Sequence, residues 1–318
     1  MKKVVITGVA GFLGSHLAQK LLQQGIEIIG IDNFCTGTHH NIELLSSPTF
    51  TFYEIDVSDQ KIADFVDWSD VEEIYHLASP ASPVFYQASS LETIAANTVG
   101  TRQMLEIARK VGAKLLFTST SEIYGDPLVN PQPENYRGNV NTWGPRACYD
   151  EGKRLGEVFC YEYFAKYGVA VTVARIFNTY SAGLRNDDGR VISNFVGQAL
   201  SNKPITVYGD GLQTRSFCYV DDMIAALQMM MENEKAIGQI LNVGSPIENT
   251  ILDIARLVKK LANATSEITF GPLPVDDPVK RCPDISVAQK VLGWSPQVTL
   301  EEGLKLTIKN YVKLNMKI

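Results

Sequence analysis

Short apolar runs alternate with helical patterns through the first half of the chain. Six runs rich in Val, Ile, Leu and Phe predict strands, at residues 3–7, 27–32, 51–55, 73–77, 114–119 and 170–176. Apolar residues at helical spacing predict helices at 14–24, about 91–111 and 149–167. Strands that alternate with helices indicate a parallel sheet covered on both faces. The pattern therefore predicts an α/β fold built on a doubly wound parallel sheet.

The pattern changes after residue 175. Loops that contain Pro and Gly, at 181–190 and 203–215, surround short helical segments, and longer helical patterns return at 222–232, 252–264 and 300–314. We predict that residues 1–175 form a first domain, to which about 216–244 return. Residues 176–318 are predicted to form mainly a second, smaller domain that is interleaved with the first.

Composition and charge narrow the class of protein. Of the 318 residues, 45% are hydrophobic and 20% charged, which is ordinary for a globular protein. The formal net charge is −6 and no block of Lys and Arg stands out, which argues against nucleic-acid binding. No segment reaches the ~18 apolar residues that span a bilayer, and the first apolar run ends at Gly8, too early for a secretory signal. We expect neither nucleic-acid nor membrane binding.

The cysteines and histidines predict no disulfide framework and no metal site. The five cysteines are scattered and never spaced as CxxC, at Cys35, Cys148, Cys160, Cys218 and Cys282. His39 and His40 are adjacent, without a carboxylate or cysteine at ligand spacing. Such thiols are typical of a reducing compartment, so we predict a cytoplasmic location.

Three glycines between the first strand and the first helix predict a dinucleotide site. Gly8, Gly11 and Gly14 are spaced GxxGxxG, which suits a tight turn, a close approach of backbone to a pyrophosphate and close helix–strand packing. Asp32 ends the next strand, where a carboxylate accepts hydrogen bonds from the adenosine ribose. Because that carboxylate would repel a 2′-phosphate, and Asn33 rather than Arg follows it, the sequence predicts NAD in a Rossmann-type domain.

Other cofactor contacts are predicted where neighbouring strands and the first helix meet this turn. They are Phe12, Leu13, Asn33, Asp56, Val57, Leu77, Ala78 and Ser79. Asp56 has two interpretations that spacing does not separate: it binds the adenine amino group, or it caps the end of a strand.

Tyr149 and Lys153 form a candidate catalytic pair. They are four residues apart, hence on one face of a helix. An ammonium beside a phenol favours the phenolate, so we expect Lys153 to lower the Tyr149 pKa from ~10 and to make the tyrosine an acid/base. The alternative is a surface pair with no function.

A run of hydroxyl residues lies upstream of this pair. Residues 118–122, Thr-Ser-Thr-Ser-Glu, follow an apolar strand that should end at the carboxyl edge of the sheet, where ligands bind in open α/β folds. A hydroxyl there could hold a substrate oxygen against Tyr149. A single Ser or Thr could equally be a turn or cap residue.

Taken together, these residues resemble the extended short-chain dehydrogenase/reductase family, whose members act on nucleotide sugars. The resemblance covers nearly the whole chain. Within it, five segments resemble one group of the family more specifically, the UDP-glucuronate decarboxylases. These are HLASPASP at 76–83, STSEIYGDP at 119–127, GPRACYDEGKR at 144–154, RIFNT at 175–179 and DDGRVISNF at 187–195.

The resemblance implies roles for the catalytic residues. Tyr149 would be the acid/base, Lys153 would support it and the nicotinamide ribose, and Thr120 would hold the reacting oxygen. Glu122 and Ser121 would lie near the sugar carboxylate. The implied reaction oxidises C4 of a UDP-uronic acid with NAD, releases carbon dioxide from the 4-keto sugar through an enolate, and returns the hydride to leave a pentose.

The resemblance also implies a UDP-sugar pocket and a homodimer. Three arginines suit a diphosphate and an acidic sugar because a guanidinium binds such oxygens in pairs; they are Arg190, Arg215 and Arg281, and Asn178 and Thr179 would line the sugar pocket. The first domain would then bind NAD and the second the nucleotide sugar. The helices at 91–111 and 149–167 would pair across a two-fold axis, although their apolar residues could also be buried within one chain.

Some positions depart from the decarboxylase pattern and keep alternatives open. Glu92 and Ala95 stand where the family usually carries lysines, and Tyr180-Ser181-Ala182 replaces a usual Phe-Gly-Pro. The alternatives are a modified, for example N-acetylated, uronic acid as substrate, or a nucleotide-sugar 4-epimerase, 4,6-dehydratase or 4-keto reductase. An alternative that is not an enzyme is a nucleotide-sugar sensor, against which the intact tyrosine, lysine and threonine argue.

Overall fold

The computed structural model describes residues 2–184, 188–273 and 280–313. Within these ranges the strands, β1 to β14 in chain order, are Lys3–Thr7, Glu27–Asp32, Phe50–Glu54, Val71–His76, Lys114–Thr120, Val171–Ile176, Thr179–Tyr180, Ile205–Tyr208, Thr214–Ser216, Cys218–Tyr219, Ile240–Val243, Glu248–Thr250, Ile268–Gly271 and Lys280–Arg281. The α-helices, α1 to α12, are Phe12–Gln23, His39–Glu43, Ile62–Phe65, Pro83–Ala88, Ser90–Ala95, Thr101–Val111, Ala147–Tyr167, Val191–Leu200, Val220–Glu232, Ile251–Leu261, Ser286–Leu292 and Leu300–Lys313.

Seven of these strands form one parallel sheet, in the order β11-β6-β5-β4-β1-β2-β3. The predicted doubly wound parallel sheet is therefore confirmed. The strand Ile240–Val243, from the segment predicted to return to the first domain, pairs with β6. The division of the chain at residue 175 stays a prediction.

The two faces of the sheet are buried under separate layers of helices. Neighbouring residues of β1 belong to different apolar clusters, Val4 and Ile6 to one and Val5 to the other. Because successive side chains of a strand point to opposite faces, this separation means that both faces are covered.

Two predicted elements differ from the structure, and the strand β11 is an observed element that was not predicted. The loop predicted at 203–215 contains β8, whose Ile205 and Val207 are fully buried and which pairs with β13. The helix predicted at 91–111 is α5 and α6 joined by a π-helical turn at Ala96–Gly100. Residue 314 of the last predicted helix lies outside the described residues.

Close packing of α7 against the sheet brings the candidate catalytic pair to the carboxyl edge. Gly156 lies where α7 crosses β5, and a Cβ at this position would lie 2.5 Å from the ring of Phe117. Only glycine permits that approach, which places Lys153, one turn earlier on α7, and Tyr149, two turns earlier, beside the end of β5.

No helix in the described part of the chain combines the length and apolar character needed to cross a bilayer. The five cysteines are all free thiols.

Candidate active site

A cavity of about 760 Å³ opens at the carboxyl edge of the sheet. All the residues predicted for cofactor, catalysis and substrate line it: Gly8, Gly11, Phe12, Leu13, Gly14, Asp32, Asn33, Asp56, Val57, Leu77, Ala78, Ser79, Thr120, Ser121, Glu122, Tyr149, Lys153, Asn178, Thr179, Arg190, Arg215 and Arg281. The fold thus brings together residues that are up to 273 positions apart, from Gly8 to Arg281. Their individual roles stay predictions.

The first turn has the shape that a pyrophosphate needs. Gly8 has a φ of +73°, and a Cβ there would lie 2.8 Å from the backbone nitrogen of Ala78, so another residue would both strain the turn and collide. No side chain caps the amino end of α1, which begins at Phe12. Its first backbone N–H groups and the positive end of the helix dipole are therefore suited to an anion.

Asp32 ties this turn to the end of β2. The backbone N–H of Ala10 donates to one carboxylate oxygen at 2.9 Å, and that of Phe34 donates to the other at 2.8 Å. Burial raises the pKa of Asp32, while these backbone hydrogen bonds act in the opposite direction. A carboxylate can accept about four hydrogen bonds, so Asp32 keeps capacity for ribose hydroxyls, as NAD requires.

Asp56 caps the chain after β3. It accepts hydrogen bonds from the side chain of Asn33 at 2.6 Å and from the backbone N–H and hydroxyl of Ser58 at 2.7 and 2.6 Å. The capping interpretation of Asp56 is thus observed. Contact with the adenine stays a prediction, since Asp56 also lines the cavity.

Tyr149 is buried in the wall of the cavity. Its ring stacks on that of Tyr86, with centroids 4.9 Å apart and planes 2° from parallel. Burial raises the pKa of Tyr149 to about 12, and the nearby Thr120 side chain opposes that rise. The phenol is therefore neutral at physiological pH in this ligand-free structure.

Lys153 is buried beside Tyr149, which excludes the interpretation of the two as a surface pair. Its Nζ donates to the backbone carbonyl of Thr118 at 2.7 Å and lies 6.0 Å from the centroid of the Tyr149 ring. Burial lowers the pKa of Lys153 to about 7. The Tyr149 pKa is therefore raised in this structure and not lowered from ~10 as predicted, because burial of the phenol is the largest effect on it.

Glu122 lies between two guanidinium groups. It accepts a hydrogen bond from Arg146 at 2.5 Å and another from Arg281. Burial alone would raise the pKa of Glu122, but Arg281 and Arg146 hold it down at about 2. One ionised carboxylate between two cations leaves this corner of the cavity with an excess of one positive charge, which suits an anionic ligand.

The remaining predicted substrate residues have mostly local partners. Arg190 forms an ion pair with Asp188 at 3.2 Å, and Arg215 donates to the backbone carbonyl of Thr214 at 2.8 Å. The hydroxyl of Thr179 donates to the carbonyl of Phe177 at 3.1 Å. Asp187, the first residue of the segment 187–195, lies outside the described residues.

Tyr86 and Arg146 are among the residues lining the cavity that sequence reasoning missed. Arg146 lies one helical turn before Tyr149, so helical spacing could have suggested it. Tyr86 contacts Tyr149 across 63 residues of sequence, and no local pattern marks that contact. Its hydroxyl is buried and has no hydrogen-bond partner among the described residues, which leaves a donor for a ligand.

With this geometry in place, comparison with known proteins identifies the family. Residues 4–244 match the NAD dependent epimerase/dehydratase family. The chain belongs to this family. The resemblance to extended short-chain dehydrogenases is thereby confirmed, and with it NAD as the cofactor, for which the turn at Gly8 and the carboxylate of Asp32 are suited.

Relatives of known function are similar over almost the whole chain. UDP-glucuronic acid decarboxylase 1 of Danio rerio is 49% identical over 311 residues, which cover 98% of this chain and 72% of that protein. UDP-glucuronic acid decarboxylase 1 of Arabidopsis thaliana is 48% identical, over 97% of this chain and 69% of that protein. UDP-glucuronic acid decarboxylase 3 of Arabidopsis thaliana is 46% identical, over 99% of this chain and 90% of that protein.

Solved structures with the same fold are less similar in sequence. A UDP-glucose 4-epimerase of Thermotoga maritima with UDP-glucose has a TM-score of 0.91 at 29% identity, over 98% of this chain and 99% of that one. A UDP-glucuronic acid 4-epimerase of Bacillus cereus in complex with UDP-glucuronic acid and NAD has a TM-score of 0.88 at 30% identity, over 98% and 99%.

Proposed function

We propose that this chain converts UDP-glucuronate to UDP-xylose and carbon dioxide, with NAD reduced and reoxidised within one turnover. The observation that carries the proposal is the 46–49% identity to UDP-glucuronic acid decarboxylases over nearly the whole chain. The epimerase structures are only about 30% identical.

NAD is held by the glycine turn, the amino end of α1 and Asp32. When bound, it supplies a hydride acceptor for C4 of the sugar and a positive charge that favours the phenolate of Tyr149. Lys153, buried beside the ring of Tyr149, stabilises the same ionised form.

Tyr149 moves the proton of the C4 hydroxyl. Tyr149 and Thr120 both line the cavity, and the Thr120 side chain lies close enough to lower the Tyr149 pKa against the effect of burial, so both are placed to contact one substrate oxygen. Tyr149 accepts the proton as C4 becomes a ketone, and Thr120 keeps that oxygen in place. After carbon dioxide has left, Tyr149 returns the proton to the C4 oxygen as the ketone at C4 is reduced again.

Loss of carbon dioxide needs the carboxylate β to this ketone. The bond from C5 to the carboxyl carbon breaks, its electron pair forms an enolate with the C4 oxygen, and a proton from solvent then adds to C5. Hydrogen bonds from Tyr149 and Thr120 stabilise the enolate oxygen because they are directed at the atom where charge develops.

The corner formed by Glu122, Arg146 and Arg281 orients the substrate carboxylate. Its net positive charge attracts the anion, and the hydroxyl of Tyr86 supplies a further donor next to Tyr149. Arg190, Arg215, Asn178 and Thr179 lie in the same cavity and bind the nucleotide sugar beyond this corner.

The departures at Glu92 and Ala95 have less bearing on the sugar than their sequence positions suggest. Ala95 is not among the residues that line the cavity. Glu92 lies near Cys35, whose pKa is raised by burial and by the charges of Asp56, Asp32 and Glu92. It is therefore at the cofactor end of the cavity, which favours unmodified UDP-glucuronate as the substrate.

The proposal includes a homodimer. Helices α5 and α7 expose large apolar side chains on one side of the molecule: Leu91 is 75% exposed, Val158 52% and Tyr161 66%. An exposed apolar surface of this kind marks a site of protein–protein contact, and a second copy of the chain would remove it from water. A cytoplasmic location is supported by the five free thiols.

The experiment combines the protein with UDP-glucuronate and NAD and follows the products by NMR. Decarboxylation gives UDP-xylose. The second candidate, 4-epimerisation, is favoured by the likeness to the UDP-glucuronic acid 4-epimerase and would give a hexuronate isomer with the carboxylate retained. If the protein turns over an N-acetylated UDP-uronic acid and not UDP-glucuronate, the modified sugar is the substrate. If it turns over none of a panel of nucleotide sugars, the result supports a nucleotide-sugar sensor.

A further inference from the structure

Gln132 clamps the residue that follows Arg281. Its backbone N–H donates to the carbonyl of Cys282 at 2.8 Å, and its side-chain Oε1 accepts from the N–H of Cys282 at 2.9 Å. Gln132 thus binds both backbone polar groups of Cys282, the carbonyl through its own backbone N–H and the N–H through its side chain. Gln132 is 0% exposed, although it belongs to the segment between β5 and α7 and is 149 residues away in sequence from Arg281.

Gln132 is itself held on its other side. Its Nε2 donates to the carbonyl of Val129 at 2.7 Å, and its own carbonyl accepts from the side chain of Asn242 at 2.9 Å. Asn242 is a fully buried residue of β11, the edge strand of the large sheet. Gln132 is therefore anchored to the seven-stranded sheet.

The same asparagine fixes the element that carries Glu122. The hydroxyl of Tyr124 donates to Oδ1 of Asn242 at 2.8 Å, and Tyr124 ends the short 3₁₀ helix Ser121–Tyr124 that contains Glu122. The side chains of Glu122 and Arg281 then meet across the cavity wall. A continuous network of hydrogen bonds through Gln132 and Asn242 thus connects the chain segment that carries Arg281 to the one that carries Glu122.

We propose that Gln132 is a positioning residue that holds Arg281 against Glu122 and so fixes the corner that receives the substrate carboxylate. Arg281 lies in a strand of only two residues, which by itself gives a long side chain little support. An ion pair removed from water stabilises the fold only when its geometry is maintained, and a displacement of about 1 Å in a reacting complex can cost about 10²-fold in rate. The proposal rests on the proposed function for its activity measurement.

The test replaces Gln132 with Met, which keeps the volume and removes both side-chain hydrogen-bonding groups. The change is made in the wild type and in an Arg281→Ala background. The matched control is Gln228→Met, since Gln228 is a buried glutamine of α9 whose amide donates to Gln24 at 3.0 Å and which does not line the cavity. The measurements are kcat for carbon dioxide release, the affinity for UDP-glucuronate by calorimetry, and Tm.

A positioning role predicts that Gln132→Met lowers kcat about 10- to 100-fold in the wild type but less than about twofold when Arg281 is already Ala, while Tm falls equally in both backgrounds. Gln228→Met should lower Tm and leave kcat within about twofold. A kcat near that of the wild type, or a loss of equal size in both backgrounds, overturns the proposal.

Failure of the proposed function is distinguishable from failure of this inference. If the wild type releases no carbon dioxide, the proposed function fails and the positioning role is judged from calorimetry, which needs no turnover. The same non-additivity is then expected in the affinity for UDP-glucuronate, and additive losses, or no effect of Gln132→Met, overturn it. If Gln132→Met does not fold, Gln132→Asn, whose side chain is one methylene shorter and so withdraws the acceptor from the Cys282 N–H, is measured in the same two backgrounds with the same criteria.

Discussion

Replacing Lys153 with Met should make the ligand-free protein more stable at neutral pH. Burial lowers the pKa of Lys153 from its ordinary 10.5 to about 7, and about 3.5 pKa units at 1.36 kcal/mol each correspond to about 5 kcal/mol against the charged form. The hydrogen bond from Nζ to Thr118 at 2.7 Å offsets roughly 1.5–3 kcal/mol of that, as bonds to charged groups do. A gain of about 2–3 kcal/mol in the free energy of unfolding remains for the Met variant.

The gain should depend on pH with a definite sign. Below pH 7 Lys153 is charged in both the folded and the unfolded chain, so the whole destabilisation is present. Between pH 7 and about 10.5 the folded protein loses the proton first, the unfolded chain binds more protons, and the stability of the wild type rises relative to the variant. The advantage of the Met variant should therefore shrink as pH rises from 7 towards 10.

Urea unfolding at pH 6, 7, 8 and 9, without NAD, measures this difference. Lys166→Met is the control, because Lys166 lies on the same helix α7 but is exposed, and the expected change is within about 0.5 kcal/mol at each pH. A Lys153→Met variant that is less stable than the wild type by the same amount at all four pH values would refute the reasoning.

Three further predictions concern the site and the assembly. Tyr149→Phe should abolish turnover and keep NAD affinity within about twofold by calorimetry, because only the proton-carrying hydroxyl is lost; near-normal turnover would contradict the assignment of Tyr149. Glu122→Gln should lower the free energy of unfolding at pH 7 by about 3 kcal/mol, since Arg281 and Arg146 hold the pKa of Glu122 at about 2 instead of 4.5. That loss should shrink as pH falls from 4.5 towards 2, and equal stability of the two proteins at pH 7 would show that the ion pairs add nothing. Val158→Glu, on the exposed face of α7, should give monomers in light scattering where the wild type gives dimers, and an unchanged mass would contradict the proposed interface.

The local part of the cofactor site could be predicted from the sequence. The glycine turn, the strand before it, the helix after it and Asp32 all lie within 30 residues, and each follows a known pattern of spacing. The same holds for Tyr149 and Lys153, which share one helix. Their burial does not follow from spacing, so the direction of the Tyr149 pKa shift was predicted wrongly.

Contacts across long stretches of chain could not be predicted. Tyr86 meets Tyr149 and Gln132 meets Cys282 only because the sheet brings their segments together. The strands Ile205–Tyr208 and Ile240–Val243 are four residues each, too short for periodicity to distinguish them from loops. Their pairing partners, Ile268–Gly271 and Val171–Ile176, supply the hydrogen bonds that make them strands.

The most direct test follows two labels through one turnover. UDP-glucuronate carrying ¹³C at C6 and deuterium at C4 is incubated with the protein and NAD, and the gas and the nucleotide sugar are analysed by mass spectrometry and NMR. The proposed function predicts one ¹³CO₂ for each UDP-pentose formed, with the deuterium again at C4. Retention of ¹³C in a hexuronate isomer would contradict decarboxylation, and loss of the deuterium would contradict the return of the hydride within the same turnover.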